Sequence, residues 1–236
     1  MNTQKLVNQI IYELKSLQDD TRKASAMGNF PGKLEIIGVS SPNIKKVVIK
    51  VRKTTNSWTL QQKTALAINL TQTHYHECHH LAYYFLEQEP KVINILTIEE
   101  AEKLAACLDN WVLTDTYSTF ILGVLWRIGT VDDQYIHNLL KSDDLWLKRC
   151  AVVSTVPLNQ ASRGGKGDSK RTIEVCRKVV NDHRPMIIKA LSWALRVLIR
   201  RDKKAVENFI QTNAAYLHKQ VIREVSNKLE TGLKNP

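Results

Sequence analysis

The chain has 236 residues, enough to build a sizeable core without disulfide or metal staples. Hydrophobic residues make up 43% and charged residues 24%, with only 9 Gly and 6 Pro; this excludes wholesale disorder, a collagen-like repeat and a turn-dense all-β protein. The net charge of +11 is unevenly placed. Residues 1–140 hold 14 basic and 14 acidic residues, whereas residues 141–236 hold 20 and 9, an asymmetry suited to binding a polyanion with one half of the molecule.

No apolar run approaches the roughly 20 residues that span a bilayer. The start, MNTQKLVNQIIYELK, has neither a long apolar stretch nor a small-residue cleavage site, so a cytoplasmic protein is expected. Leu6, Val7, Ile10, Ile11, Leu14 and Leu17 recur at three- and four-residue steps and predict the first helix. Ser41-Pro42 reads as an N-cap followed by proline at the first helical position, with Ile44, Val47, Val48 and Val51 behind it at helical spacing. The run VVIKV would suit a strand, but the cap and the 3.6-residue period predict a helix. The same periodicity predicts helices over Leu60–Leu70, His76–Leu86, Ile98–Leu108, Tyr117–Ile128, Tyr135–Leu140 and Leu145–Val153. It continues over Ile173–Val180, Met186–Ile199, Ala205–Ile210 and Ala214–Leu229. There is no hairpin signal.

Short helices joined by polar turns, paired roughly every 40 residues, match the length of a HEAT or armadillo unit. The expected fold is therefore all-α, a HEAT-like helical-repeat solenoid with a concave basic surface, formed as a single domain over residues 1–236. A compact non-repeating helical bundle is the alternative. The one glycine-rich stretch, Ser162-Arg163-Gly164-Gly165-Lys166-Gly167-Asp168, lacks the spacing of a phosphate-binding loop and reads as a mobile basic linker. The four cysteines, Cys78, Cys107, Cys150 and Cys176, are widely spaced and read as reduced, half-buried residues without a role.

His76-Glu77-Cys78-His79-His80 fits H-E-x-x-H, which on a helix would place two histidines on one face for zinc with a glutamate beside them as base. The window is rich in histidine, however, and no third histidine follows at the spacing of the longer motif. Structural hydrogen bonding by this Glu and these His is the preferred reading, and no metal or cofactor is expected.

Trp111 and Asp115 lie four residues apart and share one side of any helical turn. Arg149 follows 34 residues later and Trp193 another 44 on, steps that return the chain to comparable positions in units of about 40 residues. Two tryptophans, a carboxylate and an arginine would then face one cleft. On residue types alone a blander reading is favoured: Trp111 and Trp193 as core aromatics, Asp115 as the N-cap of a helix starting at Thr116, and Arg149 as a surface ion-pair partner.

Several segments together resemble the DNA alkylation repair family, HEAT-like-repeat glycosylases that remove alkylated bases. They are Gly38-Val39-Ser40-Ser41-Pro42, His76-Glu77-Cys78-His79, Asn110-Trp111 to Asp115, Leu145-Trp146 to Ala151, and Ile188-Lys189-Ala190-Leu191-Ser192-Trp193-Ala194-Leu195-Arg196. The resemblance runs from about residue 20 to the C-terminus, and its last three segments are the specific part. It implies that Asp115 is the catalytic carboxylate, that Trp111 and Trp193 are the cleft tryptophans, and that Arg149 contacts DNA. The basic neighbours Lys148, Lys189 and Arg196 would hold further phosphates, and Glu77 would be structural. It also implies excision of cationic N-alkylated purines from double-stranded DNA without cofactor, membrane or obligate protein partner. Two positions depart from the family's pattern: Val112 follows Trp111 where an acid is common, and no tyrosine stands near Met27–Phe30. A non-catalytic DNA-binding repeat protein of the same family, or a protein-interaction scaffold, are the competing readings.

Overall fold

A computed structural model describes residues 2–236, and it divides into two compact units, Met1–Ile121 and Leu122–Pro236. Among the described residues the sole strand-like pairing is an isolated bridge between Glu35 and Tyr75; the rest of the regular structure is helical. The all-α helical-repeat architecture read from the periodicity is the one observed.

In the first unit the helices are α1 (Thr3–Ser16), α2 (Asp20–Asn29), α3 (Ser41–Thr54), α4 (Leu60–Thr71), α5 (His76–Glu87), α6 (Pro90–Ile93), α7 (Ile98–Leu104) and α8 (Trp111–Tyr117). The apolar stripe of α1, Leu6, Val7, Ile10 and Leu14, is buried and packs toward α3 and α4. Each such side chain stabilises the unit by about 1.5–3 kcal/mol. Helix α5 sits deepest, against α3, α4 and α8, and nearly its whole length is buried. Helix α2 escapes the periodicity because none of its residues is buried; the Asp19 carboxylate starts it by accepting from Arg22 N–H at 2.9 Å. VVIKV is helical, as the cap argument requires. The capping residue is Ser40 rather than Ser41, with Ser41 opening α3 and Pro42 following in its first turn.

A π-helical turn, Ser118–Leu122, follows α8. The second unit then holds α9 (Gly123–Ile128), α10 (Asp133–Lys141), α11 (Leu145–Val153), α12 (Val156–Asn159), α13 (Ser169–Arg177), α14 (Pro185–Leu198), α15 (Lys203–Asn213) and α16 (Lys219–Thr231). Helix α14 is its hub, packed on α11, α12, α13 and α16, with Ala190 and Ala194 fully buried where small side chains permit close approach. The helix expected to begin at Ala214 begins at Lys219 instead. His218 caps it, its Nδ1 accepting from Gln220 N–H at 3.2 Å.

The glycine-rich segment is not a mobile linker. Arg201 donates to Asn159 O at 2.9 Å and Gly165 O at 2.7 Å, while Arg127 donates to Pro157 O at 3.2 Å and to Arg163 O. Asn159 Oδ1 accepts from Asp168 N–H at 2.9 Å and closes the loop. A Cβ at Gly165 would stand 2.5 Å from Pro157 O, so only glycine allows this close return of the chain.

Candidate functional site

The first unit builds a rigid frame from buried polar groups. Glu77, 3% exposed at the start of α5, accepts N–H bonds from Ile37 at 2.9 Å, Gly38 at 2.7 Å and Val39 at 3.1 Å. Gly38 has φ +98, and a Cβ there would meet Asp19 O at 2.5 Å, so the segment can turn beneath the carboxylate only with glycine. Both Glu77 oxygens are thereby committed to backbone, which leaves the glutamate of the H-E-x-x-H match unavailable as a base. Burial pushes the neighbouring His76 and His79 below the ordinary histidine value and His80 down to about 3, holding the rings neutral. Among the described residues no group of three or more His, Cys, Asp or Glu could hold a metal ion. Burial also pushes the Cys78 thiol up to about 12 and raises that of Cys176, so both remain protonated and unreactive.

On this frame stands α8. Asn110 caps it by accepting from Leu113 N–H at 3.1 Å, which makes Trp111 the first helical residue and places Asp115 within the helix. Asp115 is therefore not the N-cap of a later helix. Trp111 keeps 38% of its surface exposed although it belongs to a largely buried neighbourhood. Its Nε1–H donates to Asn29 O at 3.1 Å, and Phe30 meets it edge to face at 6.1 Å while stacking on His76 at 5.0 Å. The indole is thus fixed by its rim, with area left open. Asp115 lies one turn further along the same side, half-buried, and its carbonyl accepts from Thr119 Oγ1–H at 2.7 Å.

The second unit presents a different surface. Lys189, Trp193 and Arg196 follow one another along α14 at steps of four and three, one face of the helix, and Arg200 stands in the turn that ends it. Trp193, Arg196 and Arg200 line a cleft of about 610 Å³. Arg196 is held there from below: Ser192 Oγ–H donates to Glu224 at 2.5 Å, and Ser192 Oγ accepts from Arg196 Nε–H at 3.1 Å. Burial would raise the Glu224 carboxyl, yet bonds from Ser192, Gln220 and Lys234 together hold it below the ordinary carboxylate value and keep it charged. Lys189 is exposed. Lys148 is paired with Asp182 at 3.7 Å. Arg149 is 4% exposed and donates to Met186 O, tying α11 to the start of α14, so it is not a surface ion-pair partner.

Trp111 and Asp115 thus come together on α8, and Trp193 and Arg196 come together at the cleft. The sequence reading passed over Phe30, Arg200, Lys228 and Glu224. Only Arg200 had a usable signal, its helical spacing from Lys189 and Trp193.

Fold and surfaces define an all-α helical-repeat protein with an aromatic-lined basic cleft in its C-terminal unit. A family model described as DNA alkylation repair enzyme matches residues 10–229, and the chain belongs to this family. A solved structure of a predicted DNA alkylation repair enzyme from Enterococcus faecalis is similar in fold, with a TM-score of 0.70 at 15% identity over 91% of this chain and 97% of that one. No curated protein matches the chain. No helix among the described residues is long and apolar enough to cross a membrane.

Proposed function

We propose that the protein is a monofunctional DNA glycosylase of base excision repair that releases cationic N-alkylated purines, of the 3-methyladenine and 7-methylguanine type, from double-stranded DNA in the cytoplasm. The observation that carries this reading is the placement of Trp111 and Asp115 one turn apart on α8, with the indole part-exposed and braced, in a member of this family. Because the family match runs across both units, residues 1–236 are read as one functional domain.

An N-alkylated purine already carries a positive charge, so it departs without a proton from a general acid. The glycosidic electron pair leaves with the base, which becomes neutral, and positive charge builds on the deoxyribose. The Asp115 carboxylate opposes that charge and orients the water whose oxygen bonds to C1′ as its proton is released. The indole faces of Trp111 and Trp193 favour cationic groups by about 0.5–2 kcal/mol each, which selects the charged lesion over a neutral nucleotide. Lys189 and Arg196 would hold phosphates directly, and Lys148 after exchanging its Asp182 partner. Arg149 offers little surface and acts mainly by fixing α11 against α14, with a phosphate contact requiring its guanidinium to turn outward.

Incubating the protein with methylated duplex DNA and counting released bases tests the reading: purine release with an intact strand is expected. Val112, beside Trp111 where the family commonly has an acid, favours the second reading, a non-catalytic DNA-binding member. That reading predicts salt-dependent binding with no base loss.

A further inference from the structure

Helices α10, α13 and α15 of the second unit carry a surface that the proposed function does not use. Helix α13 buries Thr172, Val175 and Cys176 and packs on α14, so its opposite stripe, Lys170, Ile173, Glu174 and Arg177, faces away from that helix. Two clefts border this stripe. One of about 360 Å³ opens toward α10 and is lined by Gln134, His137, Leu140, Lys141 and Lys178; the other, about 570 Å³, opens toward α15 at Ala205. Lys178, the residue that ends α13, lines both, so the two adjoin. They share no residue with the cleft lined by Trp193 and Arg196.

One pairing keeps the charge on this surface open. Glu174 has Lys170 four residues before it, Arg177 three after and Lys178 four after, the spacings at which a carboxylate pairs with cations of its own helix. Its Oε1 instead meets Nε2 of His137, on α10, at 3.1 Å. Among the described residues, Lys141, Lys170, Arg177 and Lys178 make no side-chain hydrogen bond or ion pair. Four unpaired cations around one committed carboxylate repel one another, and an anionic occupant removes that repulsion. The lining narrows the occupant's chemistry. No aromatic side chain borders either cleft, which leaves no platform for a nucleobase. A duplex backbone or a polyphosphate would use the cations and leave Leu140 and Ile173 without a partner. A peptide that intersperses carboxylates with apolar side chains satisfies both, and two adjoining clefts suit an extended segment.

We propose that this surface docks an extended acidic segment of a partner protein, its carboxylates paired with Lys141, Lys170, Arg177 and Lys178 and its apolar side chains on Leu140 and Ile173. His137 acts as the spacer that holds Glu174 off the flanking cations.

Fluorescence anisotropy of a short labelled peptide of glutamates interspersed with leucines, titrated with the full chain, tests this. The wild type should bind, and Arg177→Ala/Lys178→Ala, which alters only exposed side chains, should bind about tenfold more weakly. Lys219→Ala, an exposed lysine at the start of α16, should bind as the wild type does; an equal loss there would overturn the proposal by showing diffuse attraction. His137→Ala frees Glu174 to pair with Lys178 and should weaken binding roughly threefold, whereas His137→Gln keeps a donor for Glu174 and should bind normally. Unchanged affinity of His137→Ala overturns the spacer. A leucine-free glutamate peptide should bind several-fold more weakly; equal binding, or displacement of the probe by linear polyphosphate or by a duplex, overturns the peptide assignment by showing that charge alone is read. No binding of the probe by the wild type overturns the docking surface altogether.

Discussion

The two units use similar helices and treat charge in opposite ways. The first contains 13 basic and 12 acidic residues and places its polar groups inside, as in the Lys63–Glu89–Arg52 cluster and the Glu77 cradle. The second contains 21 basic and 11 acidic residues, and several of its arginines bind its own carbonyls. Arg171 donates to Trp126 O at 3.1 Å while lying over that indole at 4.8 Å, and Arg127, Arg149 and Arg201 likewise hold backbone oxygens. Part of the basic excess is therefore internal fastening, and only the remainder, spread over α14, the cleft and exposed residues such as Lys170, Arg177 and Lys203, is free of it. Net charge alone overstates the binding surface. The neutral unit braces the Trp111 indole against Asn29 and Phe30 with Asp115 one turn further on, and under the proposed function the basic unit would supply the electrostatic attraction.

Breaking the Glu77 cradle should have the largest effect. Glu77→Ala leaves three buried N–H groups without an acceptor and should destabilise the first unit by about 3–5 kcal/mol, read by urea unfolding. An effect below about 1 kcal/mol would show that the segment at 37–39 is held by other contacts.

Acid should weaken the same unit next. The rings of His76, His79 and His80 titrate below the ordinary histidine value when folded, so the unfolded chain takes up protons first as pH falls. Stability is complete above about pH 6.5 and is lost progressively toward pH 3; by pH 4.5 His80 alone contributes a loss of roughly 2–3 kcal/mol. Thermal unfolding of the wild type and His80→Phe across this range checks the sign, since the variant should lose less stability.

In the basic unit, Gly165→Ala forces a Cβ into Pro157 O and should cost about 1–3 kcal/mol while loosening the rim of the cleft, measured by hydrogen exchange at residues 160–168. Ser192→Ala should have the smallest effect, about 1 kcal/mol in stability, with weaker duplex binding as Arg196 loses its anchor. Unaltered binding by Ser192→Ala would remove the relay from the account.

Much of the fold was legible because strong apolar stripes such as those of α1, α3 and α14 need burial whatever surrounds them. Helix α2 was not, since it buries nothing, and α8 was missed up to its last residue, Tyr117, because its signal is a single cap, Asn110, rather than a stripe. Spacing put Trp111 and Asp115 on one side of a turn, but residue types alone favoured a core aromatic and a cap, and the family resemblance singled the pair out. Phe30 could not be connected to Trp111, because the link is made through space by a loop 81 residues earlier in the chain. The fixing of residues 160–168 was invisible for a related reason: glycine-rich composition announces freedom, and the arginines that remove it come from α9 and from the turn between α14 and α15.

The most direct measurement is single-turnover base release from methylated duplex DNA by the wild type and Asp115→Asn. The account predicts release by the wild type and a roughly hundredfold to thousandfold slower rate for the variant, with duplex affinity largely kept. Equal rates for the two proteins would contradict it.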